Sequence, residues 1–325
     1  MKKIETADTI KLVFLGCGLA TEIHSKTLRS FEDVRRYYAS RDEARSKSYN
    51  QKFKGHGYFG SYDEAIRSPD IDLVLIATPP VSHLDLALKA LKARKHVIVE
   101  KPPFLKSTDF DIIEKVSKES DCQLMVAENY FYKPLAARLR QIIGGNEIGD
   151  ILFVYVNALK LQKTGNWRDD PKLSGYGALF EGGIHWMNFM GNIGLTVGSV
   201  KGFQPSPTGD PEKSMMIGLD YEEGAVGALY HSWEIPSLFK GLRISRIYGR
   251  EGSITFESNG IFILVKGRRR RLIFPGIKDI SGYRRMFIDF LRALRSGNEP
   301  EYNLDLARKD IKLIEVAYES AKGGK

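Results

Sequence analysis

Two short motifs carry side chains that can move a proton and stabilise a negatively charged oxygen. One is Glu100-Lys101-Pro102-Pro103, and the other places Glu181 four residues before His185. Oxidation of a secondary alcohol needs a base with a pKa near neutrality and a cation near the developing alkoxide. These residue types suit that reaction, with His185 as the base, Lys101 as the cation, and Glu181 to orient His185 or to bind a substrate hydroxyl.

A pair of glycines, Gly182 and Gly183, lies between the two residues of the second motif. Glu181 and His185 are four apart and are therefore expected to share one face of a helix. Each glycine inside a helix costs about 1 kcal/mol relative to alanine, so the pair indicates a close approach to the backbone. A flat nicotinamide ring or a polyhydroxylated substrate would fit there. The alternative is a buried histidine with a carboxylate partner and no catalytic role.

The element that positions Lys101 is a strand of a predicted parallel sheet. The first 126 residues alternate between apolar strand-like runs and helical segments, which is typical of βαβ units. The predicted strands are Ile10–Leu15, Arg36–Ala39, Leu73–Ala77, His96–Val99 and Gln123–Ala127. Lys101 follows the fourth strand, and ligands of such sheets bind beyond the carboxyl ends of the strands. A solvent-exposed Lys-Pro turn is the alternative.

A glycine-rich segment, Gly16-Cys17-Gly18-Leu19-Ala20-Thr21, follows the first strand and precedes a predicted helix, Glu22–Ser30. The first glycine permits a tight turn, the second lets the backbone approach a pyrophosphate, and the helix N-terminus supplies unpaired N–H groups. The segment therefore predicts a dinucleotide site. Thr21 occupies the third glycine position and is expected to loosen the packing of the helix on the strand. An ordinary glycine-rich turn is the alternative.

The end of the second strand bears on which dinucleotide is bound. Ser40 and Arg41 lie there, where this kind of site contacts the ribose. An acidic residue at that place favours NAD. Ser40 can donate a hydrogen bond to a phosphate and Arg41 can bind one with two N–H groups, so the pattern favours NADP. In the alternative, Arg41 is merely solvent-exposed and Asp42 binds the ribose.

Further cofactor contacts are predicted at the ends of the third and fourth strands. Ala77-Thr78-Pro79 ends the third strand, because proline cannot continue it. His83 follows in the first turn of the next helix, where it either binds the cofactor or caps its own helix. Glu100 and Lys101 end the fourth strand and are included in the predicted cofactor site.

After about residue 128 the pattern changes to runs of strands with helices set apart from them, which indicates an α+β domain. The predicted strands include Ile151–Val156, Ser214–Tyr221, Ala225–Trp233, Leu242–Tyr248 and Ser253–Phe256. Helices are predicted near Ala178–Met190, Tyr283–Ser296 and Leu304–Lys322. We therefore expect a dinucleotide-binding domain at 1–128 and a second domain at 129–325.

Composition narrows the class of protein. The 325 residues include 42% hydrophobic and 27% charged residues, as in a soluble globular protein. Two cysteines argue against a disulfide framework and a structural zinc site, and they favour a reducing cytosol. No apolar run reaches the roughly 18 residues that a membrane helix needs, so no membrane partner is expected.

The formal net charge of +9, from 49 Lys and Arg against 40 Asp and Glu, favours anionic partners. The dense basic run Lys266–Arg271 is flanked by strand-like apolar residues, which predicts the turn of a β-hairpin. No nucleic-acid partner is expected, because no recognition motif accompanies the run. A metal-dependent mechanism is disfavoured, since Glu181 and His185 have no obvious third ligand.

In combination these motifs resemble the Gfo/Idh/MocA oxidoreductases, a family named for glucose–fructose oxidoreductase, inositol dehydrogenase and a rhizopine-catabolism protein. The resemblance covers nearly the whole chain. It rests on Gly16–His24, Ala77–His83, Lys95–Pro102, Glu181–His185 and Glu315–Ala321. It implies an α/β fold: an N-terminal Rossmann domain, with a doubly wound parallel sheet, joined to a C-terminal α+β domain with a large, mostly antiparallel, open-faced sheet.

The resemblance also implies roles for particular residues. Lys101 and His185 would be catalytic, on substrates that are sugars, polyols or their derivatives. Trp167 and Arg168 resemble the family's Trp-Arg element and would place an aromatic face and a cation near the nicotinamide or the substrate. Asn129, just after the last strand of the first domain, is expected to line the same cleft. Homodimers or homotetramers would pack through the open sheet.

One departure from the family concerns the substrate pocket. Glu181 stands where the family usually has Asp, so the longer side chain is expected to shift the base or to reshape the pocket. We predict a cytoplasmic oxidoreductase that uses NADP, or else NAD, on a secondary hydroxyl or keto group of a sugar-like substrate. Two alternatives stay open: an NAD-dependent glycoside hydrolase of the same fold, and a non-enzymatic regulator that senses NADP.

Overall fold

The computed structural model describes residues 4–5, 8–165, 167–205, 211–236 and 241–323. The chain divides into two compact units. The first unit consists of residues 1–128 and 283–308, and the second unit consists of residues 129–282 and 309–325. The sequence analysis assigned every residue from 129 onward to one second domain. In the structure, residues 283–308 belong with the first unit.

The first unit contains a six-stranded sheet in which every pair of neighbouring strands is parallel. The strands lie in the order β3-β2-β1-β4-β5-β6, which is the order of a doubly wound dinucleotide-binding sheet. Their bounds are β1 Ile10–Leu15, β2 Val34–Ala39, β3 Gly57–Phe59, β4 Leu73–Ile76, β5 His96–Glu100 and β6 Leu124–Ala127. The predicted parallel sheet is confirmed.

The sequence analysis did not predict β3. It is a three-residue edge strand that begins with a glycine and is only partly buried. The central strands were predictable because β4, β5 and β6 are buried at every position, as in a sheet covered on both faces. A short edge strand has no such apolar signature.

Helices cover the faces of this first sheet. They are α1 Leu19–Leu28, α2 Glu43–Phe53, α3 Tyr62–Arg67, α4 His83–Lys92, α5 Asp109–Ser120 and, later in the chain, α9 Tyr283–Ser296. Helix α9 packs against α1, where Phe287 meets the rings of His24 and Phe31. The amphipathic pattern of α9 predicted the helix and its bounds, but such a pattern does not say which sheet the apolar side covers.

The second unit contains an eight-stranded sheet in the order β14-β13-β12-β11-β7-β10-β9-β8. All its pairings are antiparallel except that of β7 with β10. Its strands are β7 Ile151–Leu159, β8 Val197–Phe203, β9 Ser214–Tyr221, β10 Val226–Ser232, β11 Ile244–Gly249, β12 Gly252–Glu257, β13 Ile263–Lys266 and β14 Arg270–Ile273. The predicted mostly antiparallel sheet is confirmed. The edge strand β8 was missed, because two glycines and a lysine weaken its apolar alternation.

Short helices accompany this second sheet. They are α6 Pro134–Gly144, α7 Pro171–Ser174 and α8 Ile184–Gly191. The last helix, α10 Leu304–Gly323, crosses the division between the units after residue 308. Among the described residues, no helix has both the length and the apolar character needed to cross a membrane.

The two faces of the eight-stranded sheet differ in burial. One face is made of buried apolar side chains such as Val154, Leu229 and Ile254. The opposite face exposes large apolar side chains: Phe153, Phe203, Val226, Tyr230, Tyr248, Leu264 and Leu272. The pairing register places these residues on one side, for example Phe153 opposite Tyr248 and Leu264 opposite Leu272. These residues form an open face of the sheet within the described part of the chain.

Candidate active site

The glycine loop lies directly beyond β1. Gly16 has a φ of +104°, and a Cβ atom there would lie 2.7 Å from the carbonyl oxygen of Ala77, so only glycine fits. Gly18 is the N-cap of α1 and provides no side chain to pair the first N–H groups of that helix. Because the helix begins immediately after the loop, and earlier than the predicted residue 22, these groups are available to an anion. Leu19, in the first turn, is 67% exposed.

Thr21 tightens this loop, contrary to the expectation that it would loosen it. Its side chain is fully buried, and its hydroxyl donates a 2.6 Å hydrogen bond to the carbonyl oxygen of Gly16. The hydrogen bond joins the first turn of α1 to the start of the loop. The threonine methyl group and hydroxyl thus occupy the space that a third glycine would leave empty.

The turn after β2 contains Arg41 and Asp42, the two residues that could contact the ribose, and their environments differ. Asp42 is the N-cap of α2, and its carboxylate accepts a 3.4 Å hydrogen bond from the backbone N–H of Arg45. The Ser40 hydroxyl is buried and accepts a hydrogen bond from the Asp42 N–H at 3.2 Å. Arg41 is exposed. The carboxylate in this turn therefore has a structural role, while the guanidinium remains accessible.

His83 joins the turns that follow β4 and β5. Its Nε2 atom lies 2.8 Å from the Thr78 carbonyl oxygen, and its Nδ1 atom lies 2.9 Å from the Pro102 carbonyl oxygen. The side chain is 1% exposed. The sequence analysis left His83 between a cofactor contact and a helix cap. Both ring nitrogens contact backbone carbonyls, so the ring joins these two turns, and its predicted contact with the cofactor stays a prediction.

The carboxylate of Glu100 lies at the base of the Lys101 turn. One of its oxygens accepts a 3.0 Å hydrogen bond from the backbone N–H of Lys101, and the other pairs with Nε2 of His24 on α1. Burial by itself raises the pKa of Glu100, but the hydrogen bond from His24 and the nearby Lys101 charge outweigh it and hold that pKa below its usual value. Glu100 is therefore an ionised, buried group. The peptide between Lys101 and Pro102 is cis.

In the second unit, Glu181 lies in a π-helical turn, Leu179–Gly183, that leads into α8. This turn replaces the first part of the single α-helix that was predicted, and π-helical turns are frequent at functional sites. The Arg168 Nε atom lies 3.1 Å from a carboxylate oxygen of Glu181. The Arg168 guanidinium also lies 4.6 Å from the centre of the Trp167 ring. Three predicted site residues are thus in one cluster.

The start of this π-helical turn is held by two residues that sequence reasoning missed. The Leu179 N–H donates to the Glu212 carboxylate at 2.8 Å, and the Phe180 N–H donates to the Tyr318 hydroxyl oxygen at 3.2 Å. Tyr318 in turn donates to Glu212 at 2.8 Å. Together they satisfy N–H groups that a helix start leaves without partners. Glu212 is more than 30 residues away in the sequence, so no local pattern could have found it.

The ring of His185 stacks on Tyr130, with ring centres 4.2 Å apart and an angle of 14° between the planes. The ammonium group of Lys133 lies 4.2 Å from the centre of the same Tyr130 ring. Tyr130 was not predicted, although its neighbour Asn129 was. The Asn129 side chain is buried and donates a 2.6 Å hydrogen bond to the Ser281 carbonyl oxygen, and its predicted cofactor contact stays a prediction.

The glycine pair next to Glu181 makes room for the protein's own side chains. A Cβ atom on Gly182 would lie 2.9 Å from the Trp233 ring, and one on Gly183 would lie 2.7 Å from Leu179 and 3.5 Å from the His231 ring. The protein's own side chains therefore make the close approach that the glycine pair indicated, and an approach by a nicotinamide or a substrate stays a prediction. Burial, with Lys160 nearby, lowers the pKa of His231 to about 3, so this ring is neutral.

Comparison with known families decides the class of the protein. Residues 10–128 match the model of the GFO_IDH_MocA oxidoreductase family, described as having an NAD-binding Rossmann fold. Residues 136–255 match the GFO/IDH/MocA C-terminal domain. The chain belongs to the Gfo/Idh/MocA family. The predicted resemblance is confirmed, and the first unit of this Gfo/Idh/MocA protein is an NAD(P)-binding Rossmann domain.

Several proteins resemble this Gfo/Idh/MocA chain along different parts of its length. D-xylose 1-dehydrogenase (NADP(+)) 2 of Haloferax volcanii is 25% identical over 295 residues, which are 88% of this chain and 89% of that protein. Oxidoreductase P35 of Formosa agariphila is 25% identical over 185 residues, and the chain spans only 58% of its length. The structure of levoglucosan dehydrogenase with NADH and levoglucosan superposes with a TM-score of 0.86 at 20% identity, covering 97% of this chain and 98% of that one. At that identity the superposition shows the fold alone.

The residues of this Gfo/Idh/MocA Rossmann unit fit the dinucleotide that the family implies. Gly16 and Gly18 leave the loop without side chains, and the N-terminus of α1 presents backbone donors suited to a pyrophosphate. Ser40 and Arg41 follow β2, where the ribose is contacted. The individual contacts predicted at Cys17, Ala20, Ala77, Thr78 and Pro79 stay predictions.

Proposed function

We propose that this protein is an NADP-preferring oxidoreductase that transfers a hydride between the nicotinamide and a secondary hydroxyl or keto carbon of a sugar, polyol or derivative. The observation that carries the proposal is the placement of Lys101. It follows β5, and β5, β4 and β1 are adjacent parallel strands, so the lysine and the glycine loop share one edge of the sheet. That edge is where doubly wound sheets bind dinucleotides and their co-substrates.

Lys101 and His185 have different roles: His185 transfers a proton, and Lys101 stabilises the charge on the reacting oxygen. A bound nicotinamide supplies the hydride acceptor for oxidation, or the donor for reduction. In oxidation, the His185 imidazole accepts the hydroxyl proton while the Lys101 ammonium stabilises the oxygen as negative charge develops on it. In reduction, the protonated imidazole returns that proton. Glu181, paired with Arg168, binds a substrate hydroxyl or orients His185.

The type of substrate is supported by the relatives. The Haloferax volcanii protein, which matches this chain over most of its length, is a D-xylose dehydrogenase that uses NADP. The chain's own cluster of Glu181, Arg168 and Trp167 offers an acceptor, a donor and an aromatic face, and these are the groups that bind a polyhydroxylated ring. A sugar or polyol is the substrate that such a set of groups suits.

The preference for NADP rests on the turn after β2. Asp42 is used as a helix cap, and Arg41 is exposed beside it. An exposed guanidinium can bind the 2′-phosphate of NADP through two N–H groups, and NAD has no such phosphate. We expect Arg41→Ala to weaken NADP binding about tenfold or more and to leave NAD binding nearly unchanged, as measured by titration of each reduced dinucleotide.

Self-association is proposed through the open face of the eight-stranded sheet. Phe153 and Leu264 are 56% and 46% exposed on that face, and large exposed apolar patches mark interaction surfaces in soluble proteins. We expect a homodimer or homotetramer in sedimentation experiments, and a monomer when Phe153 and Leu264 are both changed to Asp. A monomeric wild-type protein would contradict this part of the proposal.

The central test is a panel of sugars and polyols with NADP and with NAD, monitored by the absorbance of the reduced nicotinamide. Lys101→Met should keep dinucleotide binding and lower turnover by about 10² to 10³ fold, because it removes a charge that stabilises the transition state. Lys106→Met, at an exposed lysine five residues further on, is the matched control. Full turnover by Lys101→Met would contradict the role of this residue.

The same panel separates the two alternative functions. A glycoside hydrolase that oxidises its substrate transiently would cleave a glycoside without net reduction of the dinucleotide. A regulator would bind the dinucleotide and turn over none of the substrates. Either result would overturn the proposed dehydrogenase activity.

A further inference from the structure

A buried histidine lies directly behind the turn that carries Lys101. His24, on α1, is fully buried, and its Nε2 atom pairs with a carboxylate oxygen of Glu100. The sequence predicted no separate role for this histidine, which was only part of the motif Gly16–His24. Glu100 is also buried, with 8% of its surface exposed. The pair is therefore shielded from water, where a hydrogen bond to a charged group is at its strongest.

The surroundings of His24 determine which ring nitrogen carries the proton. Its Nδ1 atom is buried and has no hydrogen-bond partner among the described residues. The ring meets Tyr283 and Phe287 edge to face, with ring centres 5.4 and 5.3 Å apart. A proton on Nδ1 would leave a buried donor without an acceptor, which is costly. The arrangement therefore favours a proton on Nε2, from which His24 donates to Glu100.

Glu100, held by His24, in turn binds the backbone of Lys101. Its second carboxylate oxygen accepts a 3.0 Å hydrogen bond from the backbone N–H of Lys101. Among the described residues, the titratable groups that interact with Glu100 are His24 on α1, Lys101 in the turn after β5 and His83 on α4. An ionised Glu100 can accept hydrogen bonds at both oxygens, whereas protonation would turn one acceptor into a donor.

The hydrogen bond also connects two parts of the dinucleotide site. Helix α1 begins at the glycine loop, and His24 lies on its second turn. The fixed ring of His24 therefore ties the loop helix to the turn after β5. Displacements of the order of 1 Å at a reacting group can cost about 10² fold in rate, so such a link affects catalysis without touching the substrate.

We propose that His24 is a positioning residue for Lys101, which it holds in place through the carboxylate of Glu100. The proposal rests on the proposed function for the role of Lys101. His24 itself contacts neither substrate nor cofactor in this scheme. It keeps Glu100 ionised and oriented, and Glu100 fixes the backbone from which the lysine side chain projects.

A pair of substitutions at His24 tests the proposal. His24→Gln retains an N–H donor close to the place of Nε2, and His24→Met fills a similar volume without a donor. Lys26→Ala, at an exposed position of the same helix, is the control for unrelated effects on α1. The first measurement is hydrogen–deuterium exchange of the Lys101 amide, which needs no substrate. Because Pro102 and Pro103 have no amide protons, a short peptide isolates this signal.

We expect the Lys101 amide to be protected in the wild type, in Lys26→Ala and in His24→Gln, and to exchange about fivefold faster in His24→Met, because one net hydrogen bond is worth about 1 kcal/mol. With a substrate in hand, His24→Met should lower kcat more than it raises the KM for the dinucleotide. As the pH is lowered, the kcat of His24→Met should begin to fall at a higher pH than that of the wild type. The reason is that a buried carboxylate that loses a hydrogen-bond donor is protonated more easily. His24→Gln should restore both.

Equal exchange of the Lys101 amide in His24→Met and His24→Gln would overturn the proposal, even if Lys101→Met is inactive. If His24→Met does not fold, Glu100→Gln provides the second test. It preserves the shape of the side chain and removes the charge, so the Lys101 amide should exchange faster and the acidic fall in kcat should change. A wild-type exchange rate in Glu100→Gln would contradict the proposal. Failure of the dehydrogenase assay alone would contradict the proposed function and leave the exchange result standing.

Discussion

The hydroxyl of Thr21 donates a 2.6 Å hydrogen bond to the carbonyl oxygen of Gly16, within the loop between β1 and α1. A third glycine in a dinucleotide loop serves to let helix and strand pack closely. Here a buried threonine fills that space and adds a polar link across the loop. The loop is therefore closed by a side chain at the position where the dinucleotide fingerprint has its third glycine.

This link predicts a specific loss of dinucleotide affinity. Thr21→Val has nearly the same volume and leaves the Gly16 carbonyl oxygen without its donor, so the loop should be less well ordered before binding. We expect the Kd of the reduced dinucleotide to rise about fivefold to tenfold, which corresponds to about 1 kcal/mol. Thr21→Ser retains the hydroxyl and should bind nearly as the wild type does. Titration by nicotinamide fluorescence measures both, and equal affinity of the two variants would contradict the prediction.

The contact of Gly182 with Trp233 predicts a loss of stability. A methyl group on Gly182 would lie 2.9 Å from the indole ring, so Gly182→Ala should lower the free energy of unfolding by about 1 to 3 kcal/mol through overpacking. Gly144, in α6, has no described atom within 4 Å of its missing Cβ beyond its chain neighbours and its own helix backbone, so Gly144→Ala should be neutral or slightly stabilising.

A second substitution checks the cause of that loss. Trp233→Phe shortens the ring that Gly182 meets, so it should recover part of the stability in the double variant. Thermal or urea unfolding of the single and double variants measures this coupling. Additive losses would show that the contact between the two residues is not the reason.

His231 predicts a dependence of stability on pH. Burial lowers the pKa of this histidine from 6.5 to about 3 in the folded protein, so between these values the unfolded chain binds a proton that the folded protein does not. Stability should therefore fall as the pH drops from about 6.5 towards 3, by up to about 1.4 kcal/mol per pH unit from this group. In His231→Gln the decrease between pH 6.5 and 5 should be smaller. Unfolding curves at several pH values test it, and equal slopes in the two proteins would refute it.

The stacking of His185 on Tyr130 predicts an effect on turnover. Tyr130→Leu removes the ring that lies parallel to the imidazole, and a stacked aromatic pair contributes about 0.5 to 1.5 kcal/mol beyond its buried area. We expect kcat to fall roughly twofold to tenfold, with a small change in the KM for the dinucleotide. Tyr130→Phe retains the stack and should be close to the wild type. An equal loss in Tyr130→Phe and Tyr130→Leu would assign the role to the hydroxyl group.

The parts of the fold that could be predicted are those with a local signature. Buried strands such as β4 and β5 are short apolar runs, and α9 has an amphipathic period, so both kinds of element were found with nearly correct bounds. Edge strands β3 and β8 carry glycines and polar residues and were missed. A helix pattern also could not distinguish an α-helix from the π-helical turn at Leu179–Gly183, because the change in hydrogen bonding leaves the sequence pattern almost unaltered.

By itself, the sequence determined that the protein has a glycine loop after its first strand, a Glu-Lys-Pro turn after the fourth of the predicted strands, and a helical segment with Glu181 and His185, because each of these is a local pattern of residue types. Only the tertiary structure decided what surrounds those residues. Glu100 pairs with His24 across 76 positions, and Gly182 meets Trp233 from another element. Such partners depend on how the elements pack, and packing is set by the shapes and burial of many side chains together, which no short stretch of sequence contains.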